Sequence, residues 1–116
     1  SVNALVASDD VVIPVQAEYQ AMLGVQLLKN TIKQVKTKIN NGLNVLGYVI
    51  TMATHTNHSE EFSESMFNDD FDVLATIPRS IDVSDAAVAN VSTYEYRKDN
   101  AAGKAYYALA KKIVGE

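Results

Sequence analysis

Val11-Val12-Ile13-Pro14-Val15 is the stretch on which the fold turns. It is short, β-branched and unalternated, the pattern of a strand buried on both faces, with Pro14 placed near its end where a missing N–H does least harm. The next segment is helical. Leu28, Ile32, Val35 and Ile39 recur at spacings that put them on one helix face, and Asn40-Asn41-Gly42 supplies a stop. The unit then repeats. Residues 43–52 contain the apolar run Val45-Leu46-Gly47-Tyr48-Val49-Ile50, which predicts a second strand. A polar loop and a second helical segment come next, with Asn57 and Glu60 spaced as a capping box. Residues 73–77 predict a third strand, ended by Pro78. Strands alternating with helices imply crossover connections and a parallel sheet, so the chain reads as α/β, with about three strands flanked by helices in three layers. A last helix, capped by Asp99 or Asn100, carries Tyr106, Leu109 and Ile113 as an apolar stripe and Ala101, Ala105 and Ala108 as a small-residue stripe.

Composition excludes several classes of function. With 116 residues, 47% apolar and 21% charged, the chain suits one compact domain, and no linker, low-complexity tract or long repeat divides it. No window reaches the roughly 18 to 20 apolar residues that cross a bilayer, and the first residues lack a signal-peptide pattern, which points to the cytoplasm. Zero cysteines remove disulfides, thiolate metal sites and thiol nucleophiles. His55 and His58 have a spacing that zinc can use, but no third ligand of matching logic lies nearby, and they read as loop residues. The acidic residues Glu60, Glu61, Glu64, Asp69, Asp70 and Asp72 read as a solvated face rather than an acid/base pair.

The net charge of −4 argues against a uniformly basic nucleic-acid surface, yet charge is unevenly spread. Lys29, Lys33 and Lys36 share one helix face, and such a stripe either neutralises successive phosphates or is simply solvated. A phosphate ligand of an open α/β sheet needs a glycine-rich turn at the carboxyl end of a strand, and the five glycines here are not clustered.

The order and spacing of several motifs resemble those of the ParA/Soj partition ATPases of the MinD/ParA superfamily. They are Asn3-Ala4-Leu5-Val6-Ala7-Ser8-Asp9-Asp10 running on through residues 11–15 to Gln16-Ala17-Glu18-Tyr19, then Gly24, Leu27-Leu28, Gly47 to Thr51-Met52, Ile77-Pro78-Arg79-Ser80, Ala105-Tyr106 and Leu109-Ala110-Lys111. The likeness is to the second half of such proteins. It implies a partial P-loop NTPase fold and a parent protein with a deviant Walker A loop that dimerises around ATP and magnesium. Such a parent binds DNA nonspecifically, responds to a ParB-like centromere-binding partner and associates with the nucleoid. The phosphate loop and the magnesium-holding aspartate of that family are not among these residues, so this chain by itself is expected to bind neither ATP nor magnesium tightly and to be inactive.

The resemblance also implies residue roles. Thr51, Met52, Pro78, Arg79 and Ser80 fall on the adenine side of the nucleotide, where Pro78 would stiffen the turn and Arg79 could stack on the base. Gln16, Glu18 and Tyr19 fall on a switch segment facing the partner subunit, and Lys29, Lys33 and Lys36 on a DNA-contacting helix. The residue-level alternatives are a strand end, the acidic first turn of a helix, and a solvated face. Asp82 stands where relatives carry a cation, and Asp85-Ala86-Ala87-Val88-Ala89-Asn90-Val91-Ser92 replaces a proline- and glycine-containing turn. The segment after Ser84 is therefore expected to stay helical for longer. Ala102-Gly103 reverses the usual order of those two residues. A noncatalytic interaction module with the same fold is the alternative function, and a division-site positioning ATPase is disfavoured by the lack of a basic amphipathic C-terminal helix.

Overall fold

The computed structural model describes residues 2–17, 21–54, 71–97 and 99–115. Three strands, β1 (Asp10–Gln16), β2 (Asn44–Ala53) and β3 (Val73–Pro78), lie in the order β1-β2-β3 with both pairings parallel. The described helices are α1 (Val2–Ala7), α2 (Ala21–Lys38), α3 (Ile81–Val88), the single turn α4 (Thr93–Tyr96) and α5 (Ala101–Val114). The expected α/β architecture is present, with each strand within two residues of its sequence-derived bounds. The capping box at Asn57 and Glu60, His55, His58 and the acidic residues from Glu60 to Asp70 lie outside the described residues.

Helices cover both faces of the sheet. On one, Val25, Ile32 and Val35 of α2 pack with Ile13 and Val15 of β1, Tyr48 of β2, and Leu5 of α1. On the other, Ala102, Ala105 and Leu109 of α5 pack with Val49 of β2 and Ile77 of β3. The α2 stripe therefore runs through Val25, Leu28, Ile32 and Val35. Ile39, read as its last member, lies beyond the helix and is 61% exposed. Neither stripe read on α5 is its buried side: Ala101 and Ala108 are exposed, and Ala102, Ala105 and Leu109 face the sheet. Tyr106 and Ile113, read in one stripe with Leu109, are exposed, while Leu109 packs toward the sheet and Gly103 is buried against Tyr94 and Asn100.

Asn40 does more than stop a helix. Its Nδ2 lies 3.1, 3.2 and 2.8 Å from the carbonyl oxygens of Leu5, Val6 and Ser8, and so satisfies the end of α1 from the turn after α2.

An extra residue in β2 keeps the two faces in register. Val11 pairs with Val45 but Val12 pairs with Gly47, so Leu46 is the additional residue of a bulge. Without it Tyr48 would lie on the wrong face. With it, Tyr48 sits opposite Ile13 and under α2, fully buried and edge-on to Phe71 at 5.7 Å. Gly47 permits this with φ of 149°, and a Cβ there would run into the Asp72 carbonyl oxygen that accepts the Tyr48 N–H at 2.8 Å.

α3 stays helical to Val88 and then closes on Asn90, whose φ is 60°. The Asn90 N–H donates to Ala87 O and the Val91 N–H to Ala86 O, a Schellman closure with asparagine in the left-handed position. This is the turn that stands in place of proline and glycine. Asp82 sits in the first turn of α3, where a carboxylate is favoured by the helix's N–H groups.

Candidate functional site at the carboxyl ends of the second and third strands

Beyond Ile50 the second strand is irregular again. Ile50 pairs with Thr76 and Ala53 with Pro78, three steps against two, so β2 carries one more bulge at Thr51-Met52. Met52 adopts φ of 55°, a left-handed conformation that costs a non-glycine residue about 1 kcal/mol or more. Two backbone hydrogen bonds hold it there: Ala17 N–H donates to Thr51 O at 3.0 Å, and Arg79 N–H donates to Ala53 O at 2.8 Å. The strand end is thereby turned away from the sheet, and its side chains are re-aimed.

The third strand ends beside it. Pro78 is its last residue, and Ser80 is the N-cap of α3, its Oγ accepting the Asp82 N–H at 3.1 Å. Between these two strand ends and the helices lies a cavity of about 320 Å³, lined by Thr51, Met52, Pro78, Arg79 and Ser80 together with Ile77, Val83, Ser84 and Tyr106. The size is at the low end of small-molecule sites. Arg79 is exposed and is the one formally charged residue in this lining. The rest is apolar surface interrupted by hydroxyls, chemistry that suits a flat, weakly polar group better than a phosphate.

All five residues assigned to the base side by sequence thus meet at one cavity. Ser80 also caps α3, a role its sequence position before Ile81-Asp82 could have disclosed. Ile77, Val83, Ser84 and Tyr106 are additional to the sequence assignment. Periodicity puts Tyr106 in the core stripe of its helix, and the signal that could have separated it is the matched Ala105-Tyr106 pair.

The other assigned residues lie elsewhere. Gln16 ends β1 and borders a shallow groove of about 400 Å³ with Pro14, Ala21, Gly24 and Leu28, while Glu18 and Tyr19 lie outside the described residues. Lys33 and Lys36 are exposed on α2. Lys29 departs from that stripe: it is half-buried, with Nζ 5.5 Å from the Phe71 ring centre and 5.9 Å from that of Tyr48. Among the described residues no group of three or more His, Cys, Asp or Glu side chains could hold a metal ion, and no helix is long and apolar enough to cross a membrane.

Comparison with known proteins places this geometry in context. Residues 1–45 match a family model described as an AAA domain. The chromosome-partitioning ATPase Soj of Treponema pallidum is 32% identical, with 98% of this chain aligned to 46% of its length. The chromosome partitioning protein ParA of Caulobacter vibrioides is 34% identical, again over 98% of this chain and 44% of its own. The chain spans just under half the length of these curated relatives. A crystal structure of cobyrinic acid a,c-diamide synthase from Mycobacterium smegmatis, solved with a bound ATP analogue and magnesium, superposes with a TM-score of 0.75 at 29% identity, covering 97% of this chain and 41% of that one. The three parallel strands and their flanking helices are a portion of the P-loop NTPase fold.

Proposed function

The chain belongs to the ParA/Soj family of partition ATPases and is similar to the C-terminal part of its members; from that premise we propose that it supplies the base-side wall of an ATP site in a protein that partitions DNA. One observation carries the reading. Two strand ends far apart in sequence, Thr51-Met52 and Pro78-Arg79-Ser80, converge on a single cavity at the carboxyl edge of a parallel sheet, which is where open α/β sheets bind their ligands.

In this proposal Pro78 and the latched turn at Met52 fix the wall before ligand arrives, and the Arg79 guanidinium lies over a face of the adenine. The described residues suit a base. In this reading phosphate cradling, metal binding and phosphoryl transfer belong to other parts of the protein. The exposed Lys33 and Lys36 on α2 would meet DNA phosphates without reading sequence. Gln16, with Glu18 and Tyr19, would face a second subunit of a homodimer, and a ParB-like partner would stimulate the assembled ATPase in a cytoplasmic, nucleoid-associated setting.

The test is nucleotide affinity in the full-length protein. Arg79→Ala should weaken ATP roughly fivefold, the order of one exposed cation–π contact, and leave inorganic tripolyphosphate, which has no base, unchanged. Equal loss for both ligands would place Arg79 at the phosphates, and no loss for either would remove it from the site.

A further inference from the structure

Consecutive tyrosines on α5 are used differently. Tyr107 stacks on Tyr94, ring centres 4.8 Å apart and planes 16° from parallel, and Lys111 Nζ lies 5.0 Å from its ring centre. Tyr106, roughly 100° further round the helix, has neither a hydrogen bond nor a ring contact among the described residues. It is 38% exposed, and it is the residue of α5 that borders the cavity between the β2 and β3 ends.

The start of its helix is held by Asn100. Asn100 is buried and caps α5, its Oδ1 accepting the Gly103 N–H at 2.5 Å while its Nδ2 donates to Thr93 O at 2.8 Å and to Arg97 O. Gly103 lets the helix start this close: a Cβ there would stand 3.0 Å from the Tyr94 Cα and 2.8 Å from Asn100 Nδ2. One turn on from this anchored start, Tyr106 holds its ring at the edge of the cavity that Met52 and Pro78 also line.

We propose that Tyr106 is a base-binding wall of the cavity, taking a planar heteroaromatic base by stacking on its ring rather than by a hydrogen bond from its hydroxyl. The inference rests on reading the cavity as a base site and adds a residue, and a mode of binding, to that reading. Stacking on an aromatic ring is tolerant of base identity, because every base has a π-face. Tyr106 would therefore contribute affinity for a base as such, leaving the choice among bases to the polar groups of Thr51, Ser84 and the exposed backbone near Met52.

The experiment measures ATP, GTP and tripolyphosphate affinity of the full-length protein carrying Tyr106→Ala, Tyr106→Phe or Arg79→Ala. Tyr106→Ala should weaken ATP and GTP by the same factor, roughly tenfold, and leave tripolyphosphate unaffected, while Tyr106→Phe should keep all three within about twofold. A Tyr106→Phe loss as large as that of Tyr106→Ala would assign the contact to the hydroxyl and overturn the proposal, as would equal loss of tripolyphosphate. If Tyr106→Ala leaves ATP unchanged while Arg79→Ala weakens it, the stacking wall is wrong and the base site stands. If neither variant changes ATP, both readings fall.

Discussion

On the face of the sheet covered by α2, large side chains interlock: Ile13, Val15, Val25, Ile32, Val35, Leu43 and Tyr48 are all buried, and the helix lies on them through four turns. On the face covered by α5 the buried set shrinks to Val49, Ile77 and Ala102, backed by half-buried Ala105 and Leu109. There a polar anchor, Asn100, and a glycine, Gly103, hold the helix start against the α4 turn. The first face is held by area removed from water; the second relies on hydrogen bonds and close approach. The cavity opens on the second side, between Ile77, Val83 and Tyr106, where apolar cover is thin enough to leave space for a ligand.

The difference can be tested by damaging each face in turn. Tyr48→Ala removes the largest fully buried side chain and should cost about 4 kcal/mol, the range of aromatic truncations in cores. Denaturant unfolding measures it, and amide protection should fall in all three strands together. Gly47→Ala adds one methyl group yet should cost about 3 kcal/mol, since it combines a disfavoured φ with a collision against Asp72 O. A cost under about 0.5 kcal/mol, the scatter of neutral surface changes, would mean that the bulge can relax.

Asn100→Ala should cost less, about 2 kcal/mol for a lost cap and unsatisfied carbonyls. It should also act locally, with hydrogen exchange rising in α4 and α5 while β1 and α2 stay protected. Uniform loss of protection would contradict the picture of two separately held faces. Smallest is Lys33→Ala, which should leave stability unchanged within about 0.5 kcal/mol. In the full-length protein it should flatten the salt dependence of DNA affinity by about one phosphate contact. Lys29→Ala should instead cost stability, because its side chain lies against Tyr48 and Phe71.

The features legible in the sequence and those hidden from it divide along the same line. Periodicity identified α2 and the three strands because burial against a flat sheet forces regular spacing on apolar residues, as at Ile32 and Val35. It misread α5. The sheet-facing side of α5 mixes small and large residues, Ala102, Ala105 and Leu109, so it coincides neither with the large stripe, whose Tyr106 and Ile113 are exposed, nor with the small one, whose Ala101 and Ala108 are exposed. Hydrophobicity alone then places Leu109 correctly and Tyr106 and Ile113 wrongly. Asn90 as a helix stop and Asn100 as a cap both accord with known local chemistry, but the long reach of Asn40 to the end of α1 depends on the tertiary fold and has no local signature. For the cavity, the motif match supplied Thr51, Met52, Pro78, Arg79 and Ser80. Val83 and Ser84 join it through the packing of α3, which no spacing in the chain encodes, and Tyr106 through that of α5, with the matched Ala105-Tyr106 pair as its sequence signal.

The most direct test of the base-site account is an amide chemical-shift titration of the full-length protein with ATP, compared with tripolyphosphate. The base should perturb the amides of Thr51, Met52, Arg79, Ser80 and Tyr106, tripolyphosphate should leave them in place, and the amides of Lys33 and Lys36 should respond to neither. Tight ATP binding with those five amides unmoved would contradict the account, because the base would then be held somewhere other than at the ends of β2 and β3.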